Sequence, residues 1–305
     1  MKQLNIGNSG IMASEIALGC MRISGMDARA AAKLIDTAVD NGINFFDHAD
    51  IYGGGQAEST FAQGLKFASC KREDLILQTK CAIRGGYYDF SKEHIIHSVE
   101  NSLSRLETDY LDLLLLHRPD TLVEAEDIAE AFSYLHNSGK VRQFGVSNFT
   151  PLQIELLEKF SGYRMLVNQL QFSITNTSMI DAGLNANTAF PAAIDRDGGV
   201  LDYCRLRDIT IQAWSPMQHG FFEGLFIDND QFPELNQVLD RIAAEKGVSK
   251  SALSIAWILR HPAKIQPIVG STNLARLADF CTASNVSLSR EEWYEIYRSA
   301  GNRIL

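Results

Sequence analysis

Along the chain, short apolar runs that end in a polar or small residue alternate with longer segments in which apolar residues recur at helical spacing. The runs cover residues 16–20, 44–47, 75–80, 111–117, 143–147, 166–170, 210–214 and 266–270. Several, such as Leu113-Leu114-Leu115-Leu116, are continuously apolar, the pattern of a parallel strand covered on both faces. The intervening segments predict helices over 28–41, 57–69, 92–106, 123–137, 151–160, 199–206, 234–246 and 274–283. Thr150 before Pro151, and Ser91 three residues before His94, are helix-start signals. Eight strand–helix alternations predict an α/β fold, a closed (β/α)8 TIM barrel rather than an open doubly wound sheet. No GxGxxG turn follows the first run, as a doubly wound dinucleotide fold would require.

Three pieces lie outside the repeat. Residues 2–6 and 12–15, around Asn8-Ser9-Gly10, read as a β-hairpin that plugs the barrel bottom. Segments 251–260 and 290–299 read as extra C-terminal helices. The stretches 175–199 and 218–233 are expected to be loops that wall a substrate pocket. No composition break or linker divides the chain, so 1–305 is expected to be one barrel domain.

Composition adds exclusions. A formal net charge of −9 disfavours nucleic acid and anionic membrane surfaces as partners. The 5 cysteines are scattered without a CxxC pair, which favours reduced thiols over a disulfide framework or a zinc site. Neither a signal peptide nor a membrane-spanning apolar run is present, so a cytoplasmic location is expected.

In a barrel of this type the chemistry comes from the C-terminal strand ends. Strand two ends in Asp47, with Tyr52 shortly after it. Strand three ends in Lys80 and strand four in His117. Reducing a carbonyl by hydride leaves an alkoxide that needs a proton and a stabilising field. A phenol keeps its proton at neutral pH, and an adjacent ammonium lowers its pKa, so Lys80 is expected to make Tyr52 a better acid. Asp47 would hold Lys80 charged, and His117 would position the carbonyl oxygen.

The segment Asn44-Phe45-Phe46-Asp47-His48-Ala49-Asp50-Ile51-Tyr52-Gly53 resembles the aldo-keto reductase signature. Gln78-Thr79-Lys80, Leu116-His117 and Gly145-Val146-Ser147-Asn148-Phe149 are similar to that family's further blocks, in order and spacing. The resemblance implies Asp47, Tyr52, Lys80 and His117 as the catalytic tetrad, a small-molecule carbonyl substrate, and a dinucleotide laid across the barrel top. It places Met21, Arg22 and Asp47 near the nicotinamide, Ser147, Asn148 and Gln169 on its carboxamide, and Trp214 stacked on its ring. Ser215, Pro216, Met217 and Gly220 would line the pyrophosphate, and Gly270, Ser271, Thr272, Arg276 and Asp279 the adenosine half. Phe280 stands where many relatives carry an Asn that contacts adenine, and Leu225 where several carry Lys or Arg.

At the adenosine end, the Ser271 and Thr272 hydroxyls and Arg276, one turn into a helix, suit a 2′-phosphate. No acidic residue falls in 270–275 to take a free 2′-hydroxyl, so the expected cofactor is NADP(H) rather than NADH. Gly53-Gly54-Gly55 lacks a following GK[ST] and reads as a tight turn rather than a phosphate loop. Glu93, His94, His97 and Glu100 read as a solvated helix face, with no metal expected. The second functional reading is a regulatory barrel that binds the dinucleotide and senses its redox state, as the potassium-channel β subunits of similar fold suggest.

Overall fold

The chain opens with an antiparallel hairpin of β1 (Gln3–Ile6) and β2 (Ile11–Ser14). The apolar runs follow as β3 (Ala17–Gly19), β4 (Phe45–Asp47), β5 (Ile76–Cys81), β6 (Leu111–Leu116), β7 (Val141–Ser147), β8 (Met165–Gln171) and β9 (Thr210–Trp214). After a small hairpin of β10 (Gln218–His219) and β11 (Gly224–Leu225), β12 (Gln266–Val269) completes the set. The computed structural model describes residues 1–304. Within it the strands close into a parallel eight-membered barrel in the order β12-β3-β4-β5-β6-β7-β8-β9, a (β/α)8 fold as the alternation predicts.

Helices α1 (Ala28–Asp40), α2 (Gln56–Leu65), α3 (Lys92–Leu106), α4 (Ala125–Asn137) and α5 (Pro151–Ser161) follow β3 to β7 in turn. Then come α6 (Ser178–Leu184), α7 (Val200–Leu206), α8 (Pro233–Lys246), α9 (Lys250–Leu259), α10 (Leu274–Thr282) and α11 (Arg290–Ser299). Their starts have local causes. The Asp27 side chain accepts from the Ala30 amide, and Pro151 sits in the first turn of α5, where its missing N–H costs nothing. Among the described residues no helix is long and apolar enough to cross a membrane.

Strand alternation divides the side chains between two cores. Phe46, Leu77, Leu114 and Val146 face the helices, whereas Phe45, Leu113, Leu115, Val167 and Ile268 fill the lumen. Ile6 and Ala13 of the first hairpin join the lumen cluster. The Gly7 amide donates to Thr210 Oγ1 at 2.9 Å and the Ser14 amide to Asn44 Oδ1 at 2.7 Å, so the hairpin caps the N-terminal end of the barrel. Gly7 adopts φ +55°, and a Cβ there would lie 2.6 Å from that of Leu166; the plug fits only without one.

The stretches 175–199 and 218–233 are not structureless. The first holds α6, a helix of 7 residues whose Asp181 accepts from the Tyr297 hydroxyl of α11 at 2.6 Å. The second holds β10 and β11. Elements this short are held by distant contacts, which local periodicity does not register.

Candidate active site

Above the apolar lumen layer lies a polar one. Gln266 donates to the Ser14 carbonyl oxygen, Gln212 to Gln266 at 2.9 Å, and Gln78 and Gln169 both to Gln212 Oε1, at 2.8 and 3.0 Å. The same two amide nitrogens donate to Asp47 Oδ1 at 2.6 and 3.0 Å. All of these residues are buried, so the string is a hydrogen-bonded floor that fixes the Asp47 carboxylate at the end of β4.

Lys80, at the end of β5 and wholly buried, places its ammonium on that carboxylate at 2.8 Å. It also donates to the His48 carbonyl oxygen at 2.8 Å and to Tyr52 Oη at 3.2 Å. Its three N–H donors thus have three acceptors. Burial alone would push the Lys80 pKa down; Asp47 and the Tyr52 phenol more than reverse this, and the net shift is upward, so the side chain is an ammonium.

Tyr52 is set by the turn that follows β4. Gly53, Gly54 and Gly55 all have positive φ, 58°, 65° and 92°, and lead directly into α2. A Cβ on Gly53 would meet that of Ser24 at 2.6 Å. The three glycines serve this reversal beside Tyr52, in accord with the tight-turn reading. Lys80 does pull the Tyr52 pKa down, but burial pushes it up by more, so the net shift is above the ordinary phenol value. That corrects the expectation of a lowered pKa: the ammonium offsets part of the desolvation rather than producing a strong acid.

His117 follows β6 with its ring centroid 6.1 Å from that of Tyr52, nearly perpendicular to it. Its Nδ1 is buried and unpartnered among the described residues. Burial first, then Lys80 and Arg118, hold its pKa well below the usual histidine range, so the ring is neutral.

These groups open into a cavity of about 1150 Å³. Of the residues singled out in the sequence, Met21, Arg22, Asp47, Tyr52, His117, Ser147, Asn148 and Gln169 line it. So do Trp214, Ser215, Pro216, Met217, Gly270, Ser271 and Arg276. Lys80 stands behind Tyr52, and Thr272, Gly220 and Asp279 lie off the lining; Asp279 accepts from Ser249 Oγ at 2.6 Å. Trp214 Nε1 donates to Asn148 Oδ1 at 3.1 Å, and its ring lies roughly parallel to Phe222, centroids 5.7 Å apart. Phe280 and Leu225, the two departures noted in the sequence, also face the cavity.

Sequence reasoning passed over the glutamine string, Arg118, Tyr88 and the Phe221-Phe222 pair. For the string a signal existed: Gln78, Gln212 and Gln266 are long polar residues inside short strands whose closest neighbours in sequence are mostly apolar.

The dimensions and lining suit an extended dinucleotide, running from the Tyr52 and His117 end to the N-terminus of α10. Comparison with known proteins identifies the family. Residues 15–300 match the family model described as the aldo/keto reductase family. Oxidoreductase YdhF of Escherichia coli is 36% identical over 98% of this chain and 98% of that protein. A 6-dehydroglucose reductase of Agrobacterium fabrum is 36% identical over 94% of each. The solved structure of the thermostable aldo-keto reductase Tm1743 superimposes with a TM-score of 0.80 at 25% identity, over 98% of this chain and 100% of that one. The chain therefore belongs to the aldo/keto reductase family, oxidoreductases of carbonyl compounds that use nicotinamide cofactors.

Proposed function

We propose that the protein is an NADPH-dependent carbonyl reductase in which Tyr52 is the general acid. The observation that carries this reading is the contact set of Lys80. With its ammonium donating to Tyr52 Oη, the phenol's own hydrogen is directed elsewhere, and the cavity is the open direction. When bound, a reduced nicotinamide supplies the hydride. Tyr52 then gives its proton to the substrate oxygen as charge develops there, and the Lys80 field steadies the phenolate left behind. Neutral His117 orients that oxygen by a hydrogen bond. Asp47, clamped by Gln78 and Gln169, keeps Lys80 charged and in place.

In this reading Ser147, Asn148 and Gln169 hold the carboxamide, Trp214 covers the ring, and Ser215, Pro216 and Met217 follow the pyrophosphate. Gly270, Ser271 and Arg276 receive the adenosine half, and the exposed Arg276 guanidinium is the grip for a 2′-phosphate. We place the enzyme in the cytoplasm, consistent with 5 free cysteines. The 6-dehydroglucose reductase at 36% identity makes hydroxylated aldehydes a natural part of the substrate panel.

The test is loss of NADPH absorbance with a panel of aldehydes, ketones, quinones and sugar aldehydes. Turnover that disappears in Tyr52→Phe supports the proposal. Tight dinucleotide binding without turnover of any carbonyl supports the redox-sensing barrel instead.

A further inference from the structure

The residue after His117 has no role in the chemistry above, yet it lines the same cavity. We propose that the site is built for carbonyl compounds carrying a negatively charged group, a carboxylate, sulfonate or phosphate, and that Arg118 binds that group; the inference rests on the reductase reading. Three arginines of the chain are half-buried. Arg72 pairs with Asp112 at 2.9 Å and Arg105 with Glu58 at 2.7 Å. Arg118 has no carboxylate of the described residues within 4.0 Å and makes no hydrogen bond to any of them. Two acids of the neighbouring loops are committed elsewhere. Asp120 accepts from the backbone amides of Phe90 and Leu122, and Asp89 from Ser91.

A guanidinium that has lost part of its hydration does not shed its proton to compensate. What restores the lost stabilisation is an anion, and the planar fork takes a carboxylate or phosphate through two hydrogen bonds. The charge is also local. Lys80 is neutralised by Asp47 and His117 carries none, so the positive charge at this end of the cavity comes from the exposed Arg22 and from Arg118, of which only Arg118 is half-buried, in a chain of net charge −9. Its Cζ lies 6.0 Å from the Trp214 ring, and Tyr88 completes a partly apolar surround that strengthens an ion contact.

The 2′-phosphate end of the dinucleotide does not account for Arg118. Around the closed barrel β6 lies four strands from β12 in either direction, so Arg118 stands across the mouth from Ser271 and Arg276. It sits instead beside the residue that holds the substrate oxygen.

The experiment compares kcat/KM for the positional isomers of carboxybenzaldehyde with their methyl esters, using NADPH, in wild type, Arg118→Met and Arg118→Lys. For the best-placed isomer wild type should favour the acid over its ester at least about tenfold, with the advantage shrinking as salt rises. Arg118→Met should cut the acid-to-ester ratio by about 10- to 150-fold, chiefly through KM, and Arg118→Lys should retain part of it. No preference for any acid in wild type, or an equal fall for acid and ester in Arg118→Met, overturns the inference and leaves the reductase reading intact. If wild type reduces neutral carbonyls but none of the acids, the result is the same. If it reduces no carbonyl at all, the reductase reading fails and the anion site fails with it.

Discussion

The Lys80 ammonium lies 3.2 Å from the Tyr52 phenol oxygen and donates to it, so the phenol is a hydrogen-bond acceptor on its buried side and a donor toward the cavity. Removing only that oxygen should therefore remove the proton and one of the three acceptors of Lys80. Tyr52→Phe is expected to lower kcat by ~10²–10⁴, with dinucleotide affinity nearly unchanged. Steady-state rates beside a fluorescence titration of the cofactor measure both halves. Near-wild-type turnover of a reactive aldehyde would show that the proton comes from elsewhere.

The pH profile follows from the same pair of neighbours. With Tyr52 as the proposed acid, reduction needs it protonated, and because burial holds its pKa above the ordinary value, activity should be lost only as pH rises past about 10. It also needs a neutral His117, whose pKa lies well below 6.5, so activity is lost only as pH falls far under that value. Once cofactor is saturating, kcat for reduction should be level from about pH 6.5 to 9.5. Alcohol oxidation, which needs the phenolate, should climb throughout the same range. A reduction profile that falls between pH 7 and 9 would contradict the raised tyrosine pKa.

Asp47 and Lys80 are each buried, and breaking such a pair costs about 3–5 kcal/mol of stability. The two halves differ in what remains. In Lys80→Met the Asp47 carboxylate keeps the Gln78 and Gln169 amides. In Asp47→Asn the ammonium keeps the His48 carbonyl, the phenol oxygen and the amide oxygen of the new side chain, but has no anion. Thermal unfolding should therefore place Asp47→Asn below Lys80→Met. Both variants should be catalytically severe, with the double variant little slower than the worse single, because the residues act as one unit. Strictly multiplicative rate losses would mean independent roles.

How much of this is legible in the sequence depends on the range over which each feature is decided. Strand positions and the ends that carry Asp47, Lys80 and His117 follow from local apolar runs, and the runs match β4, β5 and β6 to within a residue or so. That Gln78, Gln169 and Gln212 converge on one another requires barrel closure, which brings residues 134 apart to 2.8 Å. The direction of the Tyr52 shift is hidden for a related reason: the Lys80 charge is visible in the sequence, whereas the depth of burial that outweighs it is not. Arg118 is one charge among 28 Lys and Arg until the fold shows which of them lacks a partner.

Asp50 offers a stability test. Its Oδ1 is buried without a partner among the described residues, and nearby Glu58 is wholly buried and already engaged by Arg105 and Thr79. Burial first, then the Glu58 charge, raise the Asp50 pKa to about 7. An unfolded aspartate titrates near 3.9. Between those values the native state binds the extra proton, so this group's contribution is fully present below about pH 4 and is lost as pH rises through 7. Asp50→Asn removes that dependence. Its Tm relative to wild type should be higher at pH 8 than at pH 5, by at least ~2 °C. An identical difference at both pH values would show that Asp50 is already ionised at pH 5.

In the proposed reading the cofactor preference turns on one side chain. Arg276 is exposed at the cavity edge on the first turn of α10, where the Asn273 side chain caps the helix by accepting from the Arg276 amide at 3.0 Å. That cap fixes the backbone and leaves the guanidinium free beside Ser271, which also lines the cavity. A 2′-phosphate placed there meets a bidentate donor, a hydroxyl and the positive end of a helix. Asp279, the acidic residue of α10, is turned to Ser249 and lies off the lining, so it does not present a carboxylate to a ribose hydroxyl there. A hydrogen bond to a charged group contributes about 1.5–3 kcal/mol, so Arg276→Ala should weaken NADPH binding roughly 10- to 150-fold. NADH, which lacks the phosphate, should bind the variant and the wild type within about twofold of each other, since that difference is under 0.5 kcal/mol. Dissociation constants for both cofactors in both proteins decide the matter. Equal affinity of wild type for NADH and NADPH, or an equal loss of both in the variant, would mean that Arg276 does not read the phosphate.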